Sequence, residues 1–226
     1  MTTDDDKRLA AETAVEEVRP GMLVGLGTGS TAAHAIARLG EKVRAGLDVR
    51  AVVTSLASET LARAAGIPLL DFADVATLDL TIDGADEIDP DLRAIKGAGG
   101  AMLREKIVAA AARRMIVIAD GSKRVARLGA AKVPVEVLPF ARCFVAARLV
   151  ALGAQVVPRD GGTYRTDQNN AVLDCHFAAL DPVADAARIA AIPGVLGHGL
   201  FLGEVDAAYI AANGVVTRLE RGRMSD

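Results

Sequence analysis

Apolar runs alternate with amphipathic stretches along the first half of the chain. Residues 4–19 carry Leu9, Ala10, Ala14 and Val18 at helical spacing, and Pro20-Gly21 ends the helix they predict. Residues 22–26 form a short apolar run that predicts a strand, followed by a helix from Ala32 to about Arg44. Residues 49–53 predict a second strand, residues 59–65 a helix closed by Gly66, and residues 67–72 a returning strand. Residues 78–82 and 115–119 predict two further buried strands, with a breaker-free helix running to Ala112 between them. Such alternation implies a parallel sheet with right-handed crossovers. Four strands then end in polar loops, at residues 27–31, 54–55, 83–86 and 120–123. All four loops emerge along one edge of the sheet, where open α/β sheets bind ligands.

The pattern changes after about residue 129. Val133-Pro134-Val135-Glu136-Val137 predicts a strand whose internal proline suits an edge. A helix (141–152), strands at 155–158 and 171–177, and a helix at 183–192 follow, a run of the split βαβ type. Residues 200–219 alternate in strand fashion around Asn213-Gly214, a hairpin signal, and are expected to return to the first unit. The expected fold is therefore α/β: a Rossmann-like parallel-sheet domain (1–129 plus 206–226) with a smaller α+β, ferredoxin-like domain (130–205).

Composition narrows the classes. Of 226 residues, 51% are apolar, enough for a full core. The net charge of −3, the absence of Trp and the presence of only two Tyr argue against nucleic-acid binding, which needs clustered cations and stacking rings. Cys143 and Cys175 lack CxxC spacing and fit a reduced compartment. No apolar run approaches a membrane span, and the N-terminal Asp4-Asp5-Asp6 is unlike a secretory signal. A cytoplasmic location is expected. The dispersed His34, His176 and His198 have no metal-ligand spacing, so no metal site is expected.

Two stretches carry chemistry. Gly27-Thr28-Gly29-Ser30-Thr31 is a glycine–hydroxyl turn between strand and helix, which places bare N–H groups and a helix dipole against an anion. It matches neither the dinucleotide fingerprint nor the Walker pattern, and suits a small phosphate or sugar hydroxyls. A tight βα turn with N-caps is the plain alternative. Lys7, in the first turns of the first helix, can reach a ligand, although a lone lysine of this kind is more often a surface side chain. The second stretch is Asp83-Gly84-Ala85-Asp86-Glu87-Ile88-Asp89 with Lys96-Gly97-Ala98-Gly99-Gly100 and the helix containing Glu105. Leu103, Ile107, Ala110 and Ala111 are expected to line that helix's buried stripe, with Glu105 roughly 200° away from Leu103 and accessible. A helix N-terminus favours the anionic form of Glu105. A carboxylate held ionised beside a lysine is a candidate general base. The plain alternative is a solvated acidic loop.

These motifs, with Asp120-x-Ser122-Lys123, Pro134-Val135-Glu136-Val137 and Pro193-Gly194-Val195, appear in an order that resembles the type A ribose-5-phosphate isomerases over nearly the whole chain. The resemblance implies a cofactor-independent, metal-free aldose–ketose isomerase of the pentose phosphate pathway, a homodimer or dimer of dimers acting on a sugar phosphate. It also implies roles. Glu105 corresponds to the base, and Asp83, Asp86 and Lys96 to ring-opening and enediolate-handling residues. Thr28, Gly29, Ser30, Thr31, Lys123 and Lys7 correspond to substrate-holding positions, as do Gly84, Ala85, Gly97, Ala98 and Gly99. Two departures stand out. Ala98 replaces a common glycine, and Asn169 stands in Thr166-Asp167-Gln168-Asn169-Asn170 where glycine is frequent.

Three other readings share this architecture. A nicotinamide oxidoreductase would need a different glycine fingerprint. A coenzyme A transferase would use a glutamate as covalent nucleophile, and a sugar-phosphate deaminase is close in fold. A non-catalytic sugar-phosphate sensor would have little use for Glu105 beside Lys96.

Overall fold

The computed structural model describes residues 2–222; Met1 and residues 223–226, the ends of the expected first domain, lie outside the described residues. The first helix, α1 (Thr3–Val15), starts at a capping box in which the Thr2 hydroxyl accepts from the Asp5 N–H and the Asp5 carboxylate accepts from the Thr2 N–H. It buries Ala10, Ala11, Ala14 and Val15. The chain continues through β1 (Leu23–Leu26), α2 (Ser30–Arg44), β2 (Arg50–Val53), α3 (Leu56–Ala64) and β3 (Leu80–Gly84). The short β4 (Glu87–Ile88) and β5 (Ala94–Ile95) precede α4 (Met102–Ala111) and β6 (Met115–Asp120). Next come β7 (Val133–Val137), α5 (Arg142–Ala151), β8 (Ala154–Pro158), β9 (Ala171–Phe177), α6 (Pro182–Ala190) and β10 (Val195–His198). The chain closes with β11 (Leu200–Phe201), β12 (Ala207–Ala212) and β13 (Val215–Glu220).

The main sheet has the order β13-β12-β6-β3-β1-β2, parallel from β2 to β12, with β13 antiparallel at one edge. Its central strands are covered on both faces, which is why β6 is buried along its whole length and reads as an unbroken apolar run. From β1 the chain moves outward to β2, then returns to the other side of β1 as β3. The order therefore reverses between β1 and β3, and the crevice beyond their carboxyl ends is the topological switch point. At the other end, Asn213 (φ 51°) and Gly214 (φ 82°) form the hairpin joining β12 to β13. Their N–H groups donate to the buried Asp6 carboxylate, pinning α1 to the hairpin.

The second sheet has the order β10-β7-β9-β8, antiparallel throughout, with Val145 and Leu149 of α5 and Ile189 of α6 in its core. The connectivity β-α-β-β-α-β with this order is ferredoxin-like. A third, small sheet, β11-β5-β4, joins the two larger ones. Lys96 N–H donates to Gly199 O and Gly199 N–H to Pro134 O, so Lys96 stands at the seam.

Two sequence expectations fail. Residues 67–72 make only a bridge between Leu69 and Ala51, then a 3-10 turn at Phe72–Asp74. Pro68 cannot donate to a ladder, and the Asp71 side chain takes the Ala73 N–H to start the turn. The strand containing Pro134 is interior and fully buried, not an edge. Pro134 is tolerated because its nitrogen faces the side where β10 has already ended opposite Val135, and where Gly199 leaves room for the pyrrolidine ring.

Candidate active site

β1 and β3 run in register, Leu26 beside Ile82. The next residues, Gly27 and Asp83, meet where the strands end. A side chain at position 27 would collide with the Asp83 carboxylate, so glycine is required. Asp83 Oδ1 accepts from Thr28 N–H (3.0 Å) and Gly84 N–H (2.7 Å), tying the two loops together. The Thr28 hydroxyl donates to Ser55 Oγ (2.8 Å) and lies 2.8 Å from Thr54 Oγ1, while Ser58 Oγ donates to Gly27 O (2.6 Å). Residues 54–55 therefore buttress the turn from beneath. Gly29, at φ 112°, opens α2 with no side-chain cap, which leaves the first N–H groups of the helix for a ligand. Lys7 Nζ donates to Ser30 Oγ (3.0 Å), and Lys123 is presented by a 3-10 turn that Asp120 caps through Ser122 N–H (3.0 Å). Two lysines and a bare helix N-terminus make this end of the crevice a place for an anion.

Opposite lies a buried charge cluster. Lys96, 2% exposed, bonds Gly84 O, and its ammonium is 2.9 Å from Asp83 Oδ2 and 3.5 Å from Glu105 Oε2. Burial disfavours that ammonium, but Asp83 and Glu105 outweigh burial and hold its pKa above the ordinary value. Burial, reinforced by the Asp83 charge and only partly opposed by Lys96, raises the Glu105 pKa to about 8. Glu105 Oε2 has no hydrogen-bond partner within the protein. Asp86 Oδ2 accepts from Ala98 N–H at 2.9 Å. In the loop between, Gly97 (φ 105°) and Gly100 (φ 80°) use the left-handed region, whereas Ala98 does not and is exposed, so alanine is accommodated there. Asn169 does adopt it, at φ 61°, and preserves its turn.

Of the residues named from the sequence, all except Asp83 line a single cleft of about 220 Å³; Asp83 lies directly beneath it. A larger groove, of 370 Å³, lies between α3 and α4, but its Glu59 and Arg63 are paired with each other at 2.7 Å. Two expectations are corrected. The buried face of α4 is Met102, Glu105, Val108 and Ala109, while Ile107 is exposed. Val108 fits the space left by Gly25 of β1, and this rotates Glu105 inward onto Lys96. Nor does the helix N-terminus hold Glu105 ionised, because burial and Asp83 dominate. Sequence reasoning missed Arg159 and Tyr164, which grip the loop at residues 97–99, and Phe201, whose ring lies 5.5 Å from Lys96 Nζ. Among the described residues, no group of three or more His, Cys, Asp or Glu side chains is placed to hold a metal ion.

A switch-point crevice that holds an anion at one end and can take and return a proton at the other defines an α/β enzyme working on a small phosphorylated substrate. The profile of the ribose 5-phosphate isomerase A (phosphoriboisomerase A) family matches residues 50–214. Ribose-5-phosphate isomerase A of Sphingopyxis alaskensis is 56% identical over 223 residues, covering 96% of this chain and 96% of the relative. The crystal structure of ribose 5 phosphate isomerase A from Neisseria gonorrhoeae superposes with a TM-score of 0.92 at 39% identity, covering 98% of this chain and 99% of that one. A D-ribose-5-phosphate isomerase in complex with phospho-erythronic acid gives 0.94 at 35% identity, covering 98% and 100%. This chain belongs to the ribose 5-phosphate isomerase A family. It is an aldose–ketose isomerase interconverting ribose 5-phosphate and ribulose 5-phosphate.

Proposed function

We propose that Glu105 carries the proton between C2 and C1 of the open-chain sugar, through an enediolate held by Lys96. The carrying observation is the buried, unbonded Glu105 Oε2 on the cleft wall, 3.5 Å from Lys96 Nζ. A base with a pKa near the working pH is strong enough to take a carbon-bound proton yet still available in its ionised form. In the forward direction the Glu105 carboxylate removes the C2 proton, and the electron pair moves to form the C1–C2 double bond and place negative charge on O1. Lys96 and the Gly99 N–H stabilise that charge, a contribution worth roughly 10²–10³ in rate per well-placed donor. The proton on O2 passes to O1, which neutralises the enediolate charge there, and the protonated Glu105 delivers its proton to C1 as the C2 ketone forms. Asp86, on the cleft wall, exchanges protons with O1 and the ring oxygen to open the furanose. Asp83, fully buried, is held through Oδ1 by two N–H groups and faces Lys96 with Oδ2 at 2.9 Å, so it fixes the lysine. The phosphate sits between Lys7, Lys123 and the residues 28–31 turn. The phospho-erythronic acid bound by the relative fits this reading, since its planar carboxylate has the shape and charge of an enediolate.

The test is isomerisation of ribose 5-phosphate in D₂O. Solvent deuterium at C1 of the ribulose 5-phosphate supports proton transfer by an exchanging base; its absence under repeated turnover would mean hydride transfer and overturn the mechanism.

We place this activity in the cytoplasm and in the non-oxidative pentose phosphate pathway. Two free cysteines, one of them exposed, suit a reducing compartment, and among the described residues no helix is long and apolar enough to cross a membrane. The enzyme is a homodimer or dimer of dimers. Val135, being interior, offers no surface for this, but Leu138, the fully exposed Phe140, and Phe144 stand together at the end of β7 and the start of α5. A single-chain mass by sedimentation at micromolar concentration would contradict it.

A further inference from the structure

The loop that faces the reacting carbons does little to fix itself. Two of its glycines are in the left-handed region, Ala98 and Gly99 are exposed, and its one internal backbone bond runs from Gly100 N–H to Gly97 O. Its shape is imposed from the second sheet. Arg159, 7% exposed, donates to Gly97 O through Nη1 (3.2 Å) and Nη2 (3.3 Å), and to Ala98 O through Nη1 (3.1 Å). Tyr164 Oη donates to Gly99 O (3.3 Å) and occupies the space beside Gly100 that any Cβ would fill. Arg159 is itself locked by a fork onto Asp174 of β9, through Nε (3.1 Å) and Nη2 (2.5 Å), and Lys132 bonds the same carboxylate (2.7 Å).

A planar peptide points the carbonyl of one residue opposite to the N–H of the next. Gly97 O held on Arg159 therefore turns Ala98 N–H the other way, and there it meets Asp86 Oδ2 at 2.9 Å. Ala98 O on the same guanidinium likewise turns Gly99 N–H toward the cleft that Gly99 lines. We propose that Arg159, locked by Asp174, is a positioning residue for the isomerisation: by gripping two carbonyls behind the loop it aims the Gly99 N–H at the enediolate oxygen and orients Asp86. This rests on the roles given above to Asp86 and the Gly99 N–H. It adds that the second sheet takes part in transition-state stabilisation without touching substrate.

Two variants test it. Arg159→Lys keeps a cation beside Asp174 but cannot span both carbonyls. Arg159→Met with Asp174→Leu replaces a buried ion pair by apolar groups, an exchange often neutral for stability. In both, kcat is expected to fall by about 10–100-fold with KM within about threefold, since misplacement near 1 Å costs that order in rate. Affinity for phospho-erythronic acid should fall in step with kcat/KM, while affinity for inorganic phosphate stays unchanged, a split that general loosening of the fold would not produce. Unchanged kcat, parallel loss of both affinities, or loss of folding in both variants would each overturn the proposal. Asp86→Asn distinguishes the two levels: if it impairs turnover and Arg159→Lys does not, only the positioning role falls.

Discussion

The Asp83 carboxylate occupies the space that a side chain on Gly27 would need, so the first residue of the turn after β1 and the acid that fixes Lys96 are packed as one unit. Adding a single methyl group at position 27 displaces Asp83, and with it Lys96 and the Thr28 N–H. Gly27→Ala should therefore cost at least about 10²-fold in kcat and about 1–3 kcal/mol in stability. Gly203→Ala, with open space around it and an ordinary φ, should leave both unchanged. Steady-state kinetics and thermal melts on the two variants decide the matter; an active Gly27→Ala enzyme would show that Asp83 has freedom to move.

Much of this site was legible because the chemistry sits where strands end. Polar loops after residues 26, 84 and 120 had to share an edge once the strands were parallel, and Lys96 and Glu105 were close to them in sequence. The face of α4 is misread from sequence because Leu103 and Ile107 are the more apolar choice, whereas the decisive partner is the missing side chain of Gly25 on β1, with four strands between them in the chain. Pro134 was misplaced for a similar reason: a proline is compatible with an interior strand when its neighbour ends one residue early, and register is not local information. Nothing near Arg159 announces a buried arginine, since the carbonyls it grips lie some sixty residues earlier and its ion-pair partner Asp174 fifteen residues later.

The elevated pKa of Glu105 gives activity a definite pH dependence. Only the carboxylate can accept the C2 proton, and burial together with Asp83 holds the group protonated up to about pH 8. The free-enzyme profile, kcat/KM, should rise from pH 6 and level off above about 8. A profile that is flat over this range, with its acid limb near 4.5, would remove the environment argued for Glu105.

Stability should run in the opposite direction. The folded pKa of Glu105 lies above its ordinary value of 4.5, so its contribution is fully present below 4.5 and is lost as pH rises toward 8, where only the unfolded chain releases the proton freely. Glu105→Gln removes that dependence. The melting temperature of the variant relative to wild type should therefore increase between pH 5 and pH 8.5. A difference that does not change with pH would show that the carboxyl is not held protonated by the fold.

The central claim is that one carboxylate, Glu105, moves the proton. Turnover of ribose 5-phosphate by Glu105→Gln at pH 8.5, compared with wild type at matched thermal stability, tests it most directly. The amide keeps size and polarity but cannot accept the proton, so kcat should fall by roughly 10²–10⁴ while inorganic phosphate binds as before. A variant that turns over within tenfold of wild type would contradict the account and move the base to Asp86.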